Sequence, residues 1–211
     1  VAPWVVILSF DDGPNAQGEV TARLLDVLHK HGVRAQFAVL GENVEAHPEL
    51  LRRMDEEGHQ LINHGYWDKW AVRMEEEVFR ENLKKGGAAI SAALGREWKP
   101  KLYRPHGGFY NARQEKICRE EGYQIVPVTL RLYDAVLDGR EPSKVVSRAI
   151  EKVEREGGGI LLLHDGRESH VRMKKKLQEE PEGAFNRSWV LGVTEELIVE
   201  LRSRGFRLND W

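Results

Sequence analysis

One cysteine, Cys118, is all the thiol this chain carries. A single thiol forms neither an internal disulfide nor a cysteine metal cluster, and this one is expected to pack as a small apolar residue. Apolar runs long enough to span a membrane are missing, so no transmembrane segment is expected. Neither charge dominates: 32 Lys+Arg against 34 Asp+Glu give a formal net charge of −2, with no basic field to draw nucleic acid. There is no internal repeat and no linker-like stretch. The absences leave a single domain, residues 1–211, long enough to bury a substantial core.

What is present is an alternation of strand and helix signals. An apolar run from Trp4 to Leu8 feeds Asp11-Asp12-Gly13-Pro14, where Gly-Pro forces a turn. Val20, Leu24, Val27 and Leu28 mark one helical face, stopped near Gly32. Ala35 to Leu40 reads as a strand. Pro48 opens a helix and Gly58 ends it. Gln60 to Asn63 is a short strand before Gly65-Tyr66-Trp67, and Phe79, Leu83, Ile90 and Leu94 trace a long amphipathic helix. Leu102-Tyr103-Arg104 is a further strand, and Asn111 with Gln114 forms a capping-box pattern. Ile125 to Leu130 reads as one strand, Ser143 starts a helix, and Ile160 to Leu163 is the most apolar strand. A helix through Leu197, Ile198 and Leu201 precedes Phe206-Arg207-Leu208. The segment from Gly166 to Ser188 is polar and aperiodic. Strands alternating with helices predict an α/β fold with a mainly parallel sheet, open or closed into a barrel.

Polar residues fitted for catalysis stand just after separate strands: Asp11 and Asp12, His64, Arg104, Asp134 and His164. In an α/β barrel the C-terminal strand ends meet at one mouth, so these residues would share one site. Each has a plainer reading. Asp-Asp-Gly-Pro alone is a solvated turn, Arg104 an ordinary surface ion pair, and His59 and His106 structural or loop histidines.

Taken together the motifs resemble the polysaccharide deacetylases, the carbohydrate esterase family with the NodB homology domain. Ser9-Phe10-Asp11-Asp12-Gly13-Pro14 is similar to the family's first motif, and Gly58-His59-Gln60-Leu61-Ile62-Asn63-His64 to the approach to its second. Tyr103-Arg104-Pro105-His106-Gly107-Gly108 resembles the third, Asp134 falls at the aspartate of the fourth, and Leu162-Leu163-His164-Asp165 resembles the fifth. Any one of these is weak; five in order, spread along most of the chain, are specific. The resemblance implies a distorted (β/α) barrel with fewer than eight repeats. It also implies a metal-dependent hydrolase that removes acetyl groups from N-acetylated sugars of a peptidoglycan-like or chitin-like polysaccharide. Alternatives are an O-acetyl xylan esterase, a small-amide amidase on the same fold, and a glycan-binding member without turnover. An extracellular or cell-envelope location is expected by the same resemblance, with any leader or anchor lying upstream of Val1.

The resemblance assigns roles as follows. Asp12 and His64 would hold one divalent metal ion, zinc first, with cobalt, manganese, nickel or magnesium as alternatives. Asp11 would be the general base, paired with Arg104. His164 would protonate the departing amine, oriented by Asp134. Gly107 would offer a backbone N–H to the oxyanion, and Gly108, Tyr110 and Trp67 would contact the sugar. Tyr66, Trp70, Phe109 and Trp189 are further candidates for a sugar groove. Two departures from the family pattern stand out. Its second metal histidine, four residues after His64, is here Asp68, which is expected to be the third ligand; the alternative is that Asp68 faces solvent and water, His59 or His106 completes the site. The tryptophan of the fourth motif is here Ala135.

Overall fold

A computed structural model describes residues 4–132, 134, 141–166 and 187–208. Strand β1 (Val5–Gly13) lies near the centre of an all-parallel sheet. It is followed by α1 (Val20–Lys30), β2 (Gln36–Val39), α2 (Gly41–Ala46), α3 (Pro48–Glu56) and β3 (Gln60–Asn63). Then come α4 (Glu76–Leu94), β4 (Leu102–Tyr103), α5 (Ala112–Glu120), β5 (Gln124–Ile125) and β6 (Leu130–Arg131). The chain closes with α6 (Pro142–Glu156), β7 (Gly159–His164), α7 (Trp189–Ser203) and β8 (Arg207–Leu208). The order across the sheet is β5-β4-β3-β2-β1-β7-β6, and β8 pairs with β1 at Val5 and Val6.

Parallel strands covered by helices on the outside must be apolar along their length. Val5, Val6, Leu8 and Phe10 of β1 are all buried, and Phe10 stacks on Phe37 of β2 with ring centroids 5.4 Å apart. The helices show the matching stripes: Val145, Val146, Ala149, Ile150 and Val153 of α6 form one buried face. The predicted capping box is present, with Asn111 accepting from the Gln114 backbone and Gln114 reaching back to the Asn111 N–H. Cys118 is buried, as expected.

One strand reading fails in an informative way. Ile125 to Leu130 is two strands, β5 and β6, and they are the two opposite edges of the sheet. Pro127 between them has no N–H for a ladder and interrupts the run. Five residue steps reach at most about 18 Å, so the two edges must curl toward each other. The result is a barrel with seven strands around it and a break between β5 and β6, a distorted (β/α) barrel with fewer than eight repeats. All the C-terminal strand ends open on one rim.

Candidate active site

That rim gathers the residues picked out by the motifs. Successive side chains of a strand point to opposite faces, so Asp11 and Asp12 should diverge. They do not, because the β1–β2 register slips between Asp11 and Gly13, and Asp12 takes a left-handed backbone (φ +72°). Gly13 is required there: a Cβ would lie 2.5 Å from the Asp165 carboxylate. Asn43 fixes the bulge by donating to the Asp12 carbonyl at 3.0 Å.

Arg104 is wholly buried, which removes the surface ion-pair reading. Its Nη1 donates to Asp11 Oδ1 at 2.6 Å and to Ser9 Oγ at 2.5 Å, and its Nη2 donates to Gln36 Oε1 at 2.8 Å. One oxygen of Asp11 is thereby occupied. The other, Oδ2, faces His64 Nε2 at 3.8 Å.

His64 donates Nδ1–H to the Arg104 carbonyl at 2.7 Å, which leaves Nε2 with its lone pair 3.3 Å from Asp12 Oδ1. A hydrogen bond from the far nitrogen is the usual way a ligating imidazole is aimed. The third side chain whose donor atom converges with these two is His106. Donor atoms of Asp12, His64 and His106 all lie within 4.8 Å of one another. The two imidazoles stack at 3.9 Å between centroids, and His106 Nε2 is 3.9 Å from Asp12 Oδ1. Both ring nitrogens of His106 are buried; Nδ1 has no hydrogen-bond partner among the described residues, and Nε2 faces the Asp68 carboxylate. Asp68 falls outside this trio; its Oδ1 sits 3.2 Å from His106 Nε2.

These residues fit a divalent cation. Two convergent imidazole nitrogens and a carboxylate are a zinc-type donor set. The electrostatics agree. Burial would raise Asp12, but His64, His164 and His106 hold it well below the usual carboxylate range. Burial would lower His64, but Asp11 and Asp12 pull it upward. Burial and the neighbouring His64 both push His106 down. The pocket carries carboxylate charge that attracts a positive partner.

Across the rim, His164 ends β7. Its Nδ1 meets Asp134 Oδ1 at 2.8 Å, and its backbone N–H donates to Asp134 Oδ2 at 3.0 Å. Burial would depress the imidazole, yet Asp134 outweighs it and pushes His164 up to about 9. Burial raises Asp134, but His164 and Arg187 hold it low. Next door, burial pushes Asp165 up to about 7, while Thr21 Oγ1 donates to its Oδ2 at 2.5 Å.

The turn after Arg104 carries Gly107 and Gly108, both at positive φ. Arg131 of β6 pins it by donating to the Gly107 carbonyl at 2.7 Å and the Gly108 carbonyl at 3.3 Å. Trp70 and Phe109 are exposed and stacked beside this turn, and Tyr110 is exposed as well. Trp67 is half-buried, and its backbone N–H donates to Asn82 Oδ1 at 2.8 Å. Trp189 instead packs against the core. His59 accepts from the Ala35 N–H at 3.0 Å and is held down to about 4 by burial, a structural histidine. Ala135 and residues 167–186 of the polar segment lie outside the described residues. Sequence reasoning gave no role to Ser9, Gln36 and Arg187: Ser9 opens the first motif but carries no charge to mark it, and Gln36 and Arg187 stand outside all five motifs.

The polysaccharide deacetylase family model matches residues 2–126. A chitooligosaccharide deacetylase of Rhizobium leguminosarum bv. trifolii is 31% identical over 207 residues, covering 97% of this chain and 88% of its own. The crystal structure of the Bc1960 peptidoglycan N-acetylglucosamine deacetylase superposes with a TM-score of 0.79 at 26% identity, covering 97% of this chain and 85% of that one. A family pseudoenzyme from Bacillus anthracis shares the fold at 20% identity and a TM-score of 0.77, covering 97% and 63%. The chain belongs to the polysaccharide deacetylase family.

Proposed function

We propose that this chain is an active, metal-dependent deacetylase of N-acetylglucosamine-type glycans, using Asp11 as base and His164 as acid. The observation that carries this is the bracketing of one trio, Asp12, His64 and His106, by two separate buried dyads, Asp11–Arg104 and Asp134–His164. A glycan-binding domain without turnover has no use for both. The relatives' substrates, chitooligosaccharide and peptidoglycan N-acetylglucosamine, support the substrate class.

Asp12, His64 and His106 would hold the ion. When bound, a divalent ion there supplies Lewis acidity toward an attacking water and the acetamide carbonyl. With one carboxylate and two neutral imidazoles the site keeps one net positive charge, which favours zinc over harder ions. Asp11 Oδ2 takes the proton of the attacking water, since Arg104 and Ser9 keep the carboxylate from turning away. The oxyanion is supported by the Gly107 N–H, on a turn that Arg131 pins. His164 holds a proton at neutral pH and gives it from Nε2 to the amine nitrogen as the C–N bond breaks. Gly108, Trp67 and Tyr110 are placed with the sugar in this reading.

The test is acetate release, with zinc, cobalt, manganese, nickel or magnesium added in turn. The substrates are N-acetyl chito-oligosaccharide, peptidoglycan fragments, acetylated xylan and a panel of small amides. Release from the first two is the expected result. Release from xylan alone or small amides alone would assign the site to those substrates, and no release with any metal would leave a binding domain.

A further inference from the structure

We infer that Arg187, outside all five motifs, is a positioning residue that fixes the Asp134–His164 dyad and so determines which nitrogen of His164 gives up the proton. It deepens the deacetylase reading and rests on it for the activity measurements.

Arg187 lies 23 residues beyond His164 and is wholly buried. Its backbone is left-handed (φ +64°), a conformation rare for a residue with a long side chain. The guanidinium is engaged from all sides. Nη2 donates to Asp134 Oδ2 at 2.5 Å and to the His164 carbonyl at 2.6 Å. Nε donates to the same His164 carbonyl at 3.1 Å, and Nη1 donates to the Asp134 carbonyl at 3.2 Å. Its Cζ sits 4.5 Å over the Trp189 ring at the start of α7. One planar fork thus ties the end of β7, the segment after β6 and the start of α7 together.

The consequence lies in the Asp134 carboxylate. Oδ1 serves the imidazole, whereas Oδ2 is anchored by two donors, Arg187 Nη2 and the His164 N–H. With Oδ2 anchored the carboxylate cannot swing, so Oδ1 stays in line with Nδ1. Arginine is cationic at every working pH, so Asp134 remains an acceptor after His164 has lost its proton. The Nδ1–H is therefore retained, and the proton that leaves is the one on Nε2. That proton goes to the amine nitrogen as the C–N bond breaks, and the neutral ring that remains carries its lone pair on Nε2. Among the described residues, only the backbone N–H of His164 would hold Oδ2 without Arg187.

The experiment compares wild type, Arg187→Ala, Arg187→Lys, His164→Ala and the His164→Ala/Arg187→Ala double variant. Each is assayed on an N-acetyl chito-oligosaccharide and on an activated aryl acetate, whose leaving group needs no proton. A positioning residue acts through part of the about 10²- to 10⁴-fold that a general acid supplies. Arg187→Ala is accordingly expected to lose about 10- to 100-fold in amide kcat, with little change in KM and a much smaller loss on the ester. In the His164→Ala background it should add almost nothing, and Arg187→Lys should recover part of the amide rate. Equal losses on both substrates, or a full additional loss in the double variant, would overturn the inference. If Arg187→Ala does not fold, Arg187→Lys is judged by the same ester-against-amide comparison. The His164 Nδ1–H proton resonance in NMR gives a readout independent of turnover. It should be lost or shifted in Arg187→Ala, or shifted in Arg187→Lys if only that variant folds; an unchanged signal would overturn the inference. Should wild type release no acetate, the deacetylase reading fails, and this resonance still decides the role of Arg187.

Discussion

Removing the His106 imidazole separates the two candidates for the third ligand. In His106→Ala the trio loses one of three donors, leaving Asp12 and His64, 3.3 Å apart. Loss of an outer-shell partner of a metal ligand costs about 10- to 100-fold in affinity, or about 1.4 to 2.8 kcal/mol. Asp68, whose Oδ1 sits 3.2 Å from His106 Nε2, is in that outer position, so Asp68→Ala should fall in this range. Loss of a direct ligand must exceed it, so His106→Ala should weaken zinc by more than about 100-fold. The geometry also forecasts a rescue. Position 68 faces the space His106 occupies, and an imidazole reaches farther than a carboxylate. Asp68→His in the His106→Ala background should recover much of the lost affinity. Competition titration against a fluorescent zinc chelator measures all four proteins without relying on turnover. If His106→Ala binds zinc like wild type while Asp68→Ala does not, the third ligand is Asp68 and this assignment is wrong.

Three further outcomes are expected. Asp12→Asn should lose metal affinity outright, whereas Asp11→Asn should bind metal within about tenfold of wild type yet lose about 10²- to 10⁴-fold in kcat; equal metal loss in both would remove Asp11 from the role of free base. Asp165 keeps its proton up to about pH 7 in the fold but loses it near 4 when unfolded, so the native state binds the extra proton between these values and stability falls as pH rises through them. At about 1.4 kcal/mol per unit the loss is at most about 4 kcal/mol, and Asp165→Asn should abolish it. Urea unfolding from pH 4 to 8 with chelator present measures this, and parallel curves for the two proteins would count against it. Gly86→Ala would set a Cβ 2.2 Å from Asn63 Oδ1 and 2.9 Å from the Gly65 backbone, so it should destabilise the fold by about 1 to 3 kcal/mol in the same assay.

The order of strands and helices was legible in the chain because burial on a parallel sheet leaves apolar runs, and helices beside it leave stripes of period 3.6. The capping box at Asn111, the Gly-Pro turn and the residues after each strand were legible for the same local reason. The split of Ile125 to Leu130 was signalled by Pro127, yet that its halves form opposite edges is a matter of sheet order, which no local pattern encodes. The acid arm and the Asp11–Arg104 pair could be named from motifs, but that Arg104 is buried and shared among Asp11, Ser9 and Gln36 depends on the end of β4 reaching across β3 to β1 and β2. The third corner of the metal trio shows the limit most clearly. In sequence, Asp68 is four residues from His64 and His106 is forty-two away. In space the turn after β4 folds over β3, so His106 stacks on His64 while Asp68 falls behind it. Arg187 gave no signal at all, since its neighbours in the chain are aperiodic and its partners arrive from two other strand ends. Local chemistry determined which residue types were available at the rim; only the packing of distant segments decided which of them touch.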